Sequence, residues 1–268
     1  MGIFNSLFGI ETINDEKKEY ELGDYEETEL PSQEEMNSTI EHSENYSYEY
    51  VKPRIFETIE GDYTKWWSDF KKEPKLVIII GSRRKGKSAS AYSIGECLAQ
   101  QSKRMIYSIG TESAELPNFI YNIDNVEDCP NDSILVVGEG GIESNARDSM
   151  TKKNIGVSKL MSVISHKGIW VIYVTQSSSK LDITLIRESD VIILFEPSLM
   201  MMDMDRAVIK KLYHKYNNYI TKYTEQIKGK KGVCILYSKE LICTMRWKLP
   251  SFWCDSISKS YKDKDIME

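Results

Sequence analysis

Five short apolar runs recur through the middle of the chain, starting at residues 76, 104, 134, 169 and 191. They are Leu76–Ile80, Arg104–Ser108, Ile134–Val137, Ile169–Thr175 and Val191–Phe195. Their aliphatic stretches are not broken by a polar residue at every second position, and unbroken runs of this length are strands buried on both faces, as in parallel sheets. Helical patterns lie between them. Ser90, Ala91, Ile94, Gly95 and Leu98 share one helical face, residues 148–166 are helix-like, and Leu181–Arg187 precedes the last run. This alternation predicts an α/β domain with a mostly parallel central sheet covered by helices on both faces.

The flanks have a different character. Residues 51–75 contain Ile55, Phe56, Trp66, Trp67 and Phe70 and close at Pro74, which reads as a lead-in packed on the core. Trp66 and Trp67 are read as packing residues rather than a platform for bases, because tryptophans beside a core strand bury large areas. After the last run, a helix is expected over residues 203–227, with Val208, Leu212, Tyr216, Tyr219, Tyr223 and Ile227 as its packing stripe. Arg206, Lys210, Lys211, Lys215 and Lys222 would then lie on solvated faces. Val233–Tyr237 and Leu241–Trp247, separated by Ser238-Lys239-Glu240, predict a C-terminal β-hairpin with a three-residue loop, adding antiparallel strands at the sheet edge. The domain organisation expected is an N-terminal tail over 1–50, one globular domain over 51–255 and a polar tail over 256–268.

The candidate chemistry sits at the end of the first core run. Gly81-Ser82-Arg83-Arg84-Lys85-Gly86-Lys87-Ser88 follows Leu76–Ile80 and precedes a helical pattern, the context a phosphate-binding P-loop requires. Its glycines let backbone N–H groups curl around a phosphate of ATP, Lys87 reaches the outer phosphates, and the Ser88 hydroxyl is the Mg²⁺ ligand. The dipole of the following helix adds positive potential. In a parallel sheet, ligands gather at the carboxyl ends of the strands. Those positions hold Glu139 after the third run and Thr175 with Gln176 after the fourth. Glu139 is the carboxylate placed to orient the attacking water and serve the magnesium shell, as in P-loop ATPases.

Charge changes the picture of the tail. The chain is −6 overall, yet residues 1–50 hold fourteen acidic side chains against Lys17 and Lys18 alone. The body, 51–268, therefore has 33 basic against 27 acidic residues. A mildly basic body with an acidic tail is expected of a domain that meets a polyanion. The tail has too little aliphatic content to offset its chain entropy and is expected to be disordered, apart from the short apolar start Met1–Ile10. That start is read as a docking peptide for a capsid or membrane-surface partner, and Gly2 with Ser6 also fits the N-myristoylation pattern. Five cysteines without a Cys-x-x-Cys pair read as reduced thiols, and three scattered histidines give a zinc site no support. No apolar run is long enough to span a membrane.

Taken together, the P-loop Gly81–Ser88, the apolar strand ending in Glu139, the stretch Ser165-His166-Lys167-Gly168, the strand ending Val174-Thr175-Gln176, and Arg187-Glu188-Ser189-Asp190 are similar to the FtsK/HerA superfamily of DNA-pumping ATPases. The viral genome-packaging branch is the nearest likeness, over roughly residues 75–225. The resemblance implies a RecA-like P-loop NTPase that forms a homo-oligomeric ring, a hexamer or pentamer, and threads double-stranded DNA through it. It implies ATP and Mg²⁺ as cofactors and a cytoplasmic setting, the host cytoplasm or virion if the source is viral. Carried over by position, Gln176 would sense the γ-phosphate, and Arg187 or Arg147 would act across a subunit boundary. One position departs from the pattern: an Asp is usual before the catalytic Glu, and Gly138 stands there. The alternative this raises is a nucleotide-binding structural or regulatory protein with weak or lost hydrolysis.

Overall fold

The computed structural model describes residues 52–111, 116–117, 119–138, 160–162 and 164–254, all within the unit Ser43–Glu268. The expected tails, Glu139, Arg147 and most of the helix-like segment 148–166 lie outside the described residues.

All five expected core strands form. β1 (Arg54–Gly61) and α1 (Tyr63–Phe70) come first, then β2 (Leu76–Ile80), α2 (Lys87–Ser102), β3 (Ile106–Ile109), β4 (Ile120–Asn122), β5 (Ile134–Val137) and β6 (Trp170–Thr175). Next are α3 (Ile183–Glu188), β7 (Val191–Phe195), α4 (Leu199–Met204), α5 (Ala207–Gln226), β8 (Val233–Ser238) and β9 (Leu241–Arg246). The nine strands form one sheet in the order β1-β9-β8-β7-β2-β6-β5-β3-β4. Pairing is parallel from β4 across to β7 and antiparallel from β7 out to β1.

Both faces of the sheet are buried, which is why its core strands carry no polar alternation. On β2, Val77 and Ile79 face a core shared with Tyr63, Trp66, Trp67 and Phe70 of α1 and with Tyr92, Ile94 and Leu98 of α2. Leu76, Ile78 and Ile80 face the opposite core, with Leu185 and Ile186 of α3 and Ile209, Tyr213 and Ile220 of α5. Trp66 and Trp67 are thus packing residues, 6% and 5% exposed. Trp66 stacks on Phe70, with ring centroids 4.7 Å apart.

Four expectations for the C-terminal part are corrected. The helix expected over 203–227 is two helices, α4 and α5, split at Asp205, whose carboxylate is taken up by a loop described below. The buried face of α5 is Ile209, Tyr213, Tyr216, Ile220 and Tyr223. Tyr216 and Tyr223 were expected there, but Val208 is 42% exposed and Leu212 only half-buried, so the face is rotated relative to the reading. The hairpin turn has two residues, Lys239 and Glu240. Ser238 ends β8 instead of joining the turn, and its Oγ accepts a hydrogen bond from Leu241 N at 3.1 Å. That side-chain bond closes the turn without glycine. The hairpin also does not end the sheet, because β1 pairs along β9 and forms the outermost strand.

β1 escapes the sequence pattern because it is an edge strand. Its register slips between Ile55 and Glu57 and again between Thr58 and Glu60, so its apolar residues do not alternate cleanly, and bulges of this kind are common at sheet edges. Glu57 fastens it to α5: its carboxylate accepts from Tyr223 Oη at 2.6 Å and from Lys222 Nζ at 3.0 Å. At its other end, Gly61 has a φ of +83°, and a Cβ there would lie 2.0 Å from the Glu240 carbonyl oxygen.

Two predictions follow from this edge. Gly61→Ala should destabilise the fold by about 1–3 kcal/mol, because both the left-handed backbone and the backbone contact oppose a side chain. A denaturant titration showing an unchanged midpoint would contradict the packing of β1 on the hairpin turn. The Glu57 carboxyl is held below its ordinary 4.5, first by the Tyr223 hydroxyl and then by Lys222. A lowered carboxyl stabilises the fold above its unfolded value and loses that contribution as pH falls through its folded value. Melting of wild type and Tyr223→Phe should therefore differ more at pH 7 than at pH 3.

Candidate nucleotide site

The carboxyl ends of β2, β6 and β7 lie level. Ile80 pairs with Thr175 of β6 and with Leu194 of β7, so Gly81, Gln176 and the Phe195-Glu196 pair leave the sheet side by side. Gly81 must be glycine here: a Cβ would lie 2.5 Å from Phe195 Cβ. The loop is tied to β7 by backbone and side chain, with Ser82 N and Ser82 Oγ both donating to the Glu196 carbonyl, at 3.1 and 2.8 Å. Lys85 Nζ meets Glu196 Oε2 at 2.6 Å. Both partners are more than a third exposed, so that ion pair contributes at most about 1 kcal/mol. The close backbone approach at Gly81, not the charge pair, fixes the loop on the sheet.

The loop curls through left-handed backbone at Arg84 (φ 60°) and Gly86 (φ 101°). For a non-glycine residue such a conformation costs about 1–2 kcal/mol, the kind of strain that collects at binding sites. The curl delivers the chain into α2, whose first N–H groups, from Lys87 onward, have no carbonyl within the helix to bond. Lys87 is 8% exposed, and its Nζ donates to the Ser82 carbonyl at 2.8 Å, across the hollow of the loop. Ser88 stands exposed in the first turn. A cationic amine folded over a concave run of backbone, at the positive end of a sixteen-residue helix, fits a polyphosphate.

Gln176 is drawn to this loop. Its Oε1 accepts from Arg83 Nε at 2.6 Å. The chain that follows is held by a buried carboxylate that the sequence pattern gave no reason to single out. Asp205, 6% exposed, accepts from Ser178 N at 3.3 Å, Ser179 N at 3.1 Å, Ser177 Oγ at 3.3 Å and Ser178 Oγ. Arg206 completes the clamp by donating to the carbonyls of Ser178 at 2.9 Å and Leu181 at 2.5 Å. Removing a buried charge from water costs several kcal/mol unless donors surround it, and here they do. Arg206, expected on a solvated face, instead secures the loop behind Gln176. The serines of Ser177-Ser178-Ser179 were the only hint, since short hydroxyl side chains are suited to binding nearby backbone and carboxylate groups.

Gly138 stands at the end of β5, its N–H donating to the Ile109 carbonyl at 2.8 Å. A Cβ there would lie 3.3 Å from Ile109 O, 3.2 Å from Gly110 O and 3.3 Å from Thr111 Oγ1. Glycine is therefore matched to close packing at that point. Glu139 and Arg147 lie outside the described residues. Arg187 is not brought to this end of the sheet: it is exposed in the last turn of α3 and lines a groove of about 1190 Å³ with Lys75, Asp190 and Val191, at the amino ends of β2 and β7. Lys167, from the basic stretch before β6, donates to the carbonyls of Glu127 at 2.5 Å and Cys129 at 2.9 Å. Its charge is used to hold a connection.

No helix among the described residues is long and apolar enough to cross a membrane. No protein-family model matches the chain, and no curated protein matches it in sequence. Among solved structures, it is similar to the genome packaging NTPase B204 from Sulfolobus turreted icosahedral virus 2 in complex with AMPPCP, at 15% identity and a TM-score of 0.45, over 65% of this chain and 98% of that one. It is also similar to the pCW3 conjugation coupling protein TcpA with ATPγS, at 11% identity and a TM-score of 0.45, over 71% and 65% of the two chains. The cytoplasmic domain of the Thermomonospora curvata type VII secretion ATPase EccC matches at 11% identity and a TM-score of 0.42, over 68% of this chain and 24% of that one. Similarity at this level concerns the fold alone.

Proposed function

We propose that the chain is an ATP-hydrolysing P-loop motor that moves double-stranded DNA, acting as a ring of identical subunits in viral genome packaging. The observation that carries the ATPase part is the cradle itself: Lys87 closing over a curled Gly81–Ser88 at the head of α2, with Gln176 brought against it from β6. The motor and DNA parts rest on the sequence resemblance and on the basic excess of residues 51–268.

In this reading, Lys87 and the backbone N–H groups of the loop bind the β- and γ-phosphates, and the Ser88 hydroxyl, with Glu139, would hold Mg²⁺, which would supply charge neutralisation when bound. Glu139 accepts the proton of the attacking water, and the leaving β-phosphate departs with the bridging oxygen, giving ADP, phosphate and a proton. Gln176 reports the γ-phosphate to the loop held by Asp205. Arg187 and Arg147 are the residues to test as arginines acting from a neighbouring subunit. An apolar N-terminal segment that meets a capsid or a membrane surface belongs to the same reading.

ATP hydrolysis should rise on adding duplex DNA and fall about 10²-fold or more in Lys87→Ala, since one lost phosphate-stabilising donor is worth that much. DNA affinity should drop steeply between low and moderate salt. Hydrolysis indifferent to DNA in an assembled preparation at every salt concentration would remove the motor reading and leave the ATPase.

The second reading, a nucleotide-binding structural or regulatory protein, is favoured by the packing at Gly138. If a missing carboxylate limits hydrolysis, Gly138→Asp should raise the rate. The tight backbone surroundings argue the opposite: the substitution should leave turnover no faster and lower the melting temperature by a few degrees. A faster Gly138→Asp enzyme would show that this site lacks a group it can accommodate.

A further inference from the structure

The interior of the P-loop carries three cations, Arg83, Arg84 and Lys85, and the structure gives the first and last of them different partners. Lys85 meets a carboxylate, Glu196, at 2.6 Å, which offsets its charge. Arg83 meets the neutral amide of Gln176, also at 2.6 Å. A neutral acceptor orients a guanidinium without cancelling its charge. The bond engages Nε, so it fixes the plane of the guanidinium and leaves its two terminal nitrogens as further donors for another acceptor. Arg84 sits at the left-handed turn of the loop, exposed.

Position supports the same conclusion. Arg83 belongs to the loop that wraps the phosphates, and Gln176 comes from the strand next to β2. Their contact therefore places an oriented positive charge, with no carboxylate paired to it among the described residues, beside the cradle. Arg187, in contrast, stands at the amino ends of the strands. We propose that Arg83 is an arginine acting in cis: positioned by Gln176, it donates to the γ-phosphate oxygens of ATP bound in its own subunit and stabilises the charge that develops there during hydrolysis. This rests on the ATPase reading and deepens it, because it moves a role assigned by resemblance to a neighbouring subunit into the P-loop itself. Gln176 then has a positioning role in addition to sensing, and the γ-phosphate is read through the Arg83–Gln176 pair.

The test is made on the full chain in its assembled state, with three measurements. First, steady-state hydrolysis: Arg83→Ala should lower kcat by about 10²–10⁴-fold, approaching the 10³–10⁵ range of an arginine finger, with KM for ATP changed by less than about 5-fold. Arg83→Lys should restore only a small part, because lysine keeps the charge and loses the fork. Second, binding without turnover: wild type should bind ADP with aluminium fluoride more tightly than ADP alone, and Arg83→Ala should bind ADP normally and lose that gain. Third, mixing: equal amounts of Arg83→Ala and Lys87→Ala subunits should hydrolyse no faster than the two assayed apart. Recovery of activity in the mixture would place Arg83 in a neighbour's site and overturn the cis assignment. Unchanged kcat in a folded Arg83→Ala protein would overturn any catalytic role for it. A wild-type chain that binds no ATP would overturn the P-loop reading as well, so the two failures are distinguishable.

Discussion

The central constraint is the confinement of β2. It is bonded on one side to β6 and on the other to β7, both parallel to it, and all five of its side chains are buried in one of two cores. A strand held in this way cannot slip, because a shift of one residue would exchange the sets facing α1–α2 and α3–α5. Its end is therefore fixed against Thr175 and Leu194. The phosphate cradle, the amide of Gln176 and the carbonyl of Glu196 meet because three strands end together.

The two ends of β2 use polar groups in different ways. At the amino end, Asp190 accepts from Leu76 N at 2.8 Å and its own N–H donates to the Leu76 carbonyl at 3.0 Å, so the carboxylate helps to start the β2–β7 pairing. At the carboxyl end, the strongly held carboxylate is Asp205, set back behind the loop, while the half-exposed Glu196 takes Lys85. Burial decides the difference: the half-exposed Glu196 pair is screened by water, whereas Asp205 has to be surrounded by donors to be tolerated at all. The loop after Gln176 is thus anchored to the body through a buried carboxylate, whereas the ion pair at the cradle is open to water.

Much of this architecture was legible from the chain. The aliphatic strands, the P-loop between β2 and α2, the packing role of Trp66 and Trp67 and the C-terminal hairpin each depend on local pattern, and local pattern is what a sequence displays. What the pattern misses depends on distant partners. β1 is a strand only because β9 lies beside it, and β4 is three residues long. Arg206 looked like one more surface cation in a Lys-rich stretch, yet its guanidinium bonds carbonyls in a loop some twenty-five residues earlier. The buried face of α5 was misplaced because two apolar stripes overlap at Tyr216 and Tyr223, and the one that also carries Ile209, Tyr213 and Ile220 is the one buried. At the candidate site, the loop and the strand ends were readable, and the Arg83–Gln176 contact was not, since nothing in spacing pairs residues that follow two separate strands.

The pairing of β1 with β9 has a consequence for how the chain is made. Arg54 aligns with Arg246 and Gly61 with Leu241, so the first strand of the sheet finds its partner in the last. During synthesis, β1 must wait until nearly the whole domain has emerged, with its bonding edge open in the meantime. Contacts of such long sequence separation slow folding and expose the intermediate to unwanted strand pairing. Its bulges and its two glutamates, Glu57 and Glu60, suit that interval, because an irregular, charged edge is a poor template for another chain.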